Sequence, residues 1–276
     1  MDRKLYDAII GFAVGDAIGL PYESRQRGHF TCTGMVGYGT HGQPLGTWSG
    51  NTSLTLATLA SLKKSGGKVV TDDMRDNYRD WLIRGLYTAR GETFDASGTT
   101  ERALMEWQPG RSERDNDNGA LKRVLPLAFV DCTDDDVRNV SAITHAHWIS
   151  KEACVIYVNV AARLLDGETI GDIIPTLDFF KPFERLKELN HYGRGQIRSG
   201  IDVVGTLEAA LWAVSREGDW KKGFKQDVLH AVNLGGDTNT VGALTGGLAG
   251  IIYGVDEARD WADLLVNRQE IVKWLW

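Results

Sequence analysis

One run in this 276-residue chain is too apolar around its whole circumference to lie on a surface, and a second, small-residue apolar run carries interior glycines. Thr52 to Leu62 is rich in Leu, Ala and Thr, and Thr240 to Tyr253 carries Gly246, Gly247 and Gly250 inside a helical pattern. A helix that is apolar all round belongs in a core. Interior glycine costs about 1 kcal/mol relative to alanine, and close approach of another buried helix accounts for it. Buried helices need further layers around them, and the remaining periodicity supplies these. Tyr6, Ile9, Ile10 and Ala13 share one face of a first helix running towards Gly15-Asp16. Asp73 to Arg84, Thr99 to Trp107 and Asp136 to Thr144 are amphipathic. Glu152 to Leu165 has a core stripe of Ala153, Ile156, Tyr157, Val160 and Leu164, and Val203 to Val214 and Phe224 to Val232 follow. There is no run of period-two strands, and the Gly-, Thr- and His-rich stretch from Gly28 to Gly46 suits neither element. No repeat of fixed period is visible. The expectation is an all-α fold, a single compact multi-helix domain over residues 1–276.

Composition narrows the function classes. A hydrophobic share of 42% over this length supports one substantial core. A net charge of -6 argues against a broad nucleic-acid surface, and the cluster of Lys221, Lys222 and Lys225 reads as a solvated helix face. No apolar stretch approaches the ~20 residues of a membrane span. Arg3 and Lys4 before Ile9 to Val14 imitate a secretory leader, but Asp7 and Asp16 interrupt its apolar part. Cys32, Cys132 and Cys154 are odd in number and widely spaced, as expected of buried, reduced thiols in a cytoplasmic protein.

Several familiar strings fail on context. Gly37-Tyr38-Gly39-Thr40-His41-Gly42 matches the dinucleotide spacing, but no strand precedes it and Pro44 follows where a helix should grow. Asp115 to Gly119 has the look of a calcium loop, yet Arg114 and Leu125 fall at ligand positions. His145 and His147, two residues apart, face different ways on a helix and make a poor metal pair.

Two polar segments remain, one opening each apolar run: Trp48-Ser49-Gly50-Asn51-Thr52-Ser53-Leu54 and Asn233-Leu234-Gly235-Gly236-Asp237-Thr238-Asn239-Thr240-Val241-Gly242. Each is explained in isolation by helix capping, Asp237 for the later helix and Ser49 or Asn51 for the earlier, worth about 1 kcal/mol apiece.

As a set they say more. With Gly15-Asp16-Ala17-Ile18-Gly19-Leu20-Pro21-Tyr22-Glu23, they occur in the order found in the ADP-ribosylglycohydrolase family, which this chain resembles. Asn118 to Leu127, Thr144-His145-Ala146-His147 with Glu152-Ala153-Cys154, and Thr206 to Ala213 look like further elements of that family, so the resemblance spans about Ile10 to Tyr253. It implies an all-α fold around a cleft holding two Mg²⁺ ions, and hydrolysis of the bond from ribose C1″ to an acceptor. By position Ser49 and Thr240 match hydroxyl ligands, Asp237 a carboxylate ligand, and Glu23 the Glu near the scissile bond. Asn118, Gly119 and Ala120 would present backbone amides to the ribose or diphosphate, and His145 would lie near the ligand.

The chain departs from that pattern at the metal. Gly50 and Asn51 stand where the family has an Asp pair, and Asn239 stands where it has the bridging Asp. Gly50 offers no side-chain ligand, and a neutral amide is a weaker partner for Mg²⁺ than a carboxylate. The expectation is one weakly held Mg²⁺ or none, with Glu23 or Asp237 as the available general base. Three readings follow: an ADP-ribosyl hydrolase with impaired activity, a non-catalytic module that binds ADP-ribose or a nucleotide, or a chain substituted at the site to trap its ligand. All three imply ADP-ribose or an ADP-ribosylated molecule as the partner.

Overall fold

Helix α1 (Arg3–Gly19) runs through the centre of the molecule, and from Ala8 onward all of its residues are buried. The computed structural model describes residues 2–215 and 222–276. Lys221 of the surface lysine cluster lies outside them. The helices that follow are α2 (Gly50–Lys64), α3 (Thr71–Arg84), α4 (Gly98–Glu106), α5 (Asp134–Ala142), α6 (Trp148–Leu165), α7 (Ile170–Ile173), α8 (Val203–Ser215), α9 (Phe224–Val232), α10 (Thr238–Tyr253), α11 (Arg259–Ala262) and α12 (Arg268–Val272). Short 3₁₀ turns join them, and among the described residues only isolated bridges interrupt the helical pattern. No described helix is long and apolar enough to cross a membrane.

The glycines of α10 meet those of α1 backbone to backbone. A Cβ on Gly15 would lie 1.9 Å from the Gly242 carbonyl oxygen, one on Gly246 2.2 Å from that of Gly11, and one on Gly250 2.2 Å from that of Asp7. No side chain fits such gaps, so the helix-weakening glycines are the condition for this approach. Gly19, at the end of α1, faces the Thr238 carbonyl at the start of α10. The seam therefore fixes the C-terminal end of α1 against the N-terminal end of α10.

Every long helix expected from periodicity is present, and most begin earlier than the apolar pattern does. Helix α5 starts at Asp134 because Thr133 and Asp136 form a capping box. Helix α6 starts at Trp148 because His147 Nδ1 accepts from the Ile149 amide. The stretch from 28 to 46 holds a 3₁₀ turn, Gly39–His41, seated on Pro21 so closely that a Cβ on Gly39 would lie 2.1 Å from the Pro21 oxygen. All three cysteines are free; Cys32 and Cys154 are buried, whereas Cys132 is only partly so.

The seam makes a sharp test. Gly15→Ala should cost roughly 3 kcal/mol through forced separation of α1 and α10. Gly98→Ala, where an added Cβ meets nothing within 4 Å, should be neutral or stabilising by about 0.5 kcal/mol. Urea denaturation of the two variants measures the contrast, and equal effects would refute the account of the seam.

Candidate functional site where three helix ends meet

The C-terminal half of α1 delivers Asp16 to the N-terminal end of α2. Its fully buried carboxylate accepts hydrogen bonds from the Ser49 amide (2.9 Å), Ser49 Oγ (2.7 Å), Asn51 Nδ2 (3.1 Å), the Thr52 amide (3.1 Å) and Thr52 Oγ1 (2.6 Å). A carboxylate here satisfies amides that a helix start leaves unpaired and sits at the positive end of the helix dipole. Burial nevertheless dominates and pushes the Asp16 pKa up to about 6, with the Thr52 and Ser49 donors holding it down from a higher value.

Helix α10 reaches the same place through a double-glycine turn. Gly235 and Gly236 both have left-handed backbones (φ 74° and 76°), and a Cβ on Gly236 would lie 2.2 Å from the Ser199 oxygen. This turn leads to Asp237, which caps α10 by accepting from the Thr240 amide (3.3 Å) and also accepts from Asn118 Nδ2 (2.6 Å). Asn118 Nδ2 bonds Thr206 Oγ1 on α8 as well (2.9 Å). Burial raises the Asp237 pKa, Lys122 opposes that rise, and Glu23 adds to it.

The two polar segments are joined directly. Thr240 Oγ1 donates to Asn51 Oδ1 (3.3 Å), and Asn239 Nδ2 donates to Ser49 Oγ (3.5 Å) and Asp95 Oδ2 (3.4 Å). Ser49, Asn51, Asp237, Asn239, Thr240 and Asn118 thus belong to one cluster despite a sequence gap of up to 190 residues. Asn239 Oδ1 is buried and accepts no hydrogen bond.

Glu23 lies beside this cluster rather than in it. It bonds His41, whose pKa it raises, and its backbone oxygen accepts from Thr40 Oγ1 (2.7 Å). The amides of Asn118 and Gly119 are already engaged, by the Ile201 oxygen (3.0 Å) and by Asp117 Oδ1 (3.0 Å), so they are not the open donors the sequence suggested. Ala120 is wholly buried beneath the turn. His145 is also buried, its ring nitrogens bonded to Thr144 Oγ1 (2.7 Å) and Asp117 Oδ1 (2.8 Å), and burial lowers its pKa.

Sequence reasoning assigned no role to Asp16, His41, Thr52, Asp95, Asp117 or Lys122. Two carried a visible signal. Asp16 is a carboxylate inside an apolar helix, and Lys122 is a lysine in the run Leu121 to Leu127 whose side chain is only 7% exposed. Burial works against the Lys122 ammonium, but attraction from Asp95, Asp237, Glu23 and Asp117 outweighs it and raises its pKa above the ordinary value.

A two-Mg²⁺ centre does not fit this donor set. Among the described residues no three His, Cys, Asp or Glu side chains are grouped to hold a metal. Ser49 Oγ, Asn51 Nδ2 and Thr52 Oγ1 are turned onto Asp16 as donors, and Thr240 Oγ1 donates to Asn51. Gly50 cannot readily take a side chain, since its Cβ would lie 2.6 Å from the Asp95 oxygen and 2.9 Å from Trp81 Cζ2. Asp237 is the one carboxylate at the expected ligand positions, and Mg²⁺ at such sites needs anionic oxygen to offset its charge.

The buried starts of α2 and α10 and the end of α1 thus share one polar cluster inside an all-helical core. The chain belongs to the ADP-ribosylglycohydrolase family, whose model matches residues 1–276. It is 30% identical to the ADP-ribosylarginine hydrolase Tri1 of Serratia proteamaculans, over 97% of this chain and 76% of that protein. It is 28% identical to the ADP-ribosyl-dinitrogen reductase glycohydrolase of Rhodospirillum rubrum, over 93% and 87%. A solved structure described as an ADP-ribosylglycohydrolase-related protein complex matches with a TM-score of 0.79 and 30% identity, covering 99% of this chain and 95% of that one.

Asp16 gives the cleft a pH signature. The folded state keeps its proton up to about pH 6, whereas the unfolded chain releases it near 3.8. The native state therefore binds more protons in that window, so this group's contribution falls as pH rises from about 4 to 6. Thr52→Val removes one donor to the ionised form. It should destabilise by roughly 2 kcal/mol at pH 8 and by about half that or less at pH 5. Urea melts at the two pH values test this, and an equal loss at both would contradict it.

Proposed function

We propose that this cleft recognises the ADP-ribosyl group and that hydrolysis of the ribose C1″ glycosidic bond is impaired in this chain. The observation that carries the reading is the joining of Ser49 and Asn51 to Asn239 and Thr240, with amides at positions where the family resemblance implies carboxylates. The N-terminal ends of α2 and α10 both open into this cluster.

For the chemistry, Glu23 is the better placed base. Its side chain is 18% exposed and leans on His41, so it can take up a proton without leaving a buried partner unsatisfied. Asp237 has both carboxylate oxygens committed, to Asn118 and to the Thr240 amide. With the hydroxyls of the α2 start turned onto Asp16, activation of water by a pair of divalent ions is not part of the proposal. A cytoplasmic setting with reduced thiols suits the three free cysteines.

Titration calorimetry with ADP-ribose and with AMP, beside a release assay on arginine- and serine-linked ADP-ribose, tests both halves. The expected result is saturable heat with ADP-ribose and release at least ~10²-fold slower than by the Serratia proteamaculans relative under the same conditions. Turnover matching that relative would end the claim of impairment. Absence of heat or thermal shift with ADP-ribose would end the claim of recognition.

A further inference from the structure

The string Gly37-Tyr38-Gly39-Thr40-His41-Gly42 has no role as a dinucleotide loop, yet its backbone is held in an unusual shape. Tyr38 takes φ 66° and ψ -113°, a region that residues with a side chain seldom enter, and its amide donates to the Gln43 oxygen (2.5 Å). Gly39 and Gly42 both have φ of 63°, and Gly39 abuts the Pro21 oxygen. This shape brings two side chains onto one residue. Thr40 Oγ1 donates to the Glu23 backbone oxygen (2.7 Å) and to that of Pro21 (3.4 Å), while His41 Nε2 bonds Oε2 of the Glu23 carboxylate. On its other side the His41 ring meets the Phe94 ring, tilted against it at 5.8 Å.

These contacts continue into the polar cluster from both directions. Phe94 precedes Asp95, which accepts from Asn239 Nδ2. Beyond Glu23, the Ser24 amide donates to the Gly236 oxygen (2.7 Å) in the turn that leads to Asp237. The Glu23 backbone is thus pinned by Thr40 and by its neighbour Ser24. His41 engages one carboxylate oxygen and so fixes which way the other faces. The two side chains are partly open to solvent, His41 at 22% and Glu23 at 18%. A partly exposed ion pair adds little stability, so stability alone is a poor reason for this one. A base, by contrast, needs its oxygen held at a set place and angle. We propose that His41 is a positioning residue of this site: with Thr40 it locks the Glu23 carboxylate in one orientation, and the base function of Glu23 depends on that lock. The proposal rests on the reading of Glu23 as the base, and its first measurement needs no substrate.

Three carboxylates act on the His41 ring, Glu23 foremost, then Asp95 and Asp16, and together they raise its pKa against the effect of burial. Nuclear magnetic resonance of the imidazole rings follows this titration in the ligand-free protein, with the His41 signal assigned by its loss in His41→Gln. Glu23→Gln should lower the His41 midpoint by about one pH unit or more, a tenfold change in proton affinity. An unchanged midpoint would overturn the proposal. The kinetic arm measures release of arginine- or serine-linked ADP-ribose over long incubations by Glu23→Gln, His41→Ala and the two combined. Each single change should lower kcat at least ~10-fold and leave KM within about twofold. The combination should be no slower than Glu23→Gln alone, because His41 acts through Glu23. Losses that multiply would overturn the proposal, and so would an effect of His41→Ala on KM alone. His41→Gln keeps a donor for the carboxylate and should recover at least ~5-fold over His41→Ala, and no recovery would count against the lock. If His41→Ala does not fold, Thr40→Val, which removes only the bond to the Glu23 backbone, takes its place in the comparison. Absence of release by the unaltered chain would end the hydrolysis reading, whereas the ring titration would still decide whether His41 and Glu23 act as a pair.

Discussion

The closeness of α1 and α10 is the constraint from which the rest of the molecule follows. Gly11 and Gly15 on one helix face Gly246 and Gly242 on the other, at separations where a single methyl group would collide with backbone oxygen. Packing this tight trades intrinsic helix stability for dispersion contact along two buried helices. It also has a directional result. Because Gly19 abuts Thr238, the end of α1 is held at the start of α10, and Asp16 lies one turn back from that junction.

Asp16 then organises the second half of the cleft. Five donors from the start of α2 converge on one buried carboxylate, which orders Ser49, Asn51 and Thr52 before any ligand arrives. The arrangement has a chemical consequence. Hydroxyls and amides turned inward as donors are poor metal ligands, and the residues that face them from α10 are another amide and another hydroxyl, Asn239 and Thr240. Most hydrogen bonds of the cluster run from neutral donors to the carboxylates of Asp16, Asp237 and Asp95, and only a few, such as Thr240 Oγ1 to Asn51 Oδ1, join two neutral groups.

Family membership and the state of the site are separate matters in this chain. The chain belongs to the ADP-ribosylglycohydrolase family over residues 1–276, and its fold matches a related solved structure over nearly all of its length. Gly50, Asn51 and Asn239 sit within that frame, buried beside the starts of α2 and α10. Gly50 occupies a position with no ready room for a side chain between the Asp95 backbone oxygen and Trp81.

The long helices were legible in the sequence because a 3.6-residue period over more than two turns leaves few alternatives, as in Tyr6 to Ala13 or Ala153 to Leu164. The capping roles of Ser49 and Asp237 were legible too, since a polar residue before an apolar run has local meaning. The short elements Ile170–Ile173, Arg259–Ala262 and Arg268–Val272 were not, because one helical turn carries no period. The partners across the cleft were equally invisible. Sequence spacing gives no hint that Asn239 bonds Asp95 or that His41 meets Glu23, since these pairs depend on how loops fold over helices. Lys122 shows the division most plainly. The sequence determined that a lysine stands among core residues. Only the tertiary structure, by seating that turn against α2, decided which carboxylates act on its charge, because the field at a buried group depends on what folding brings around it.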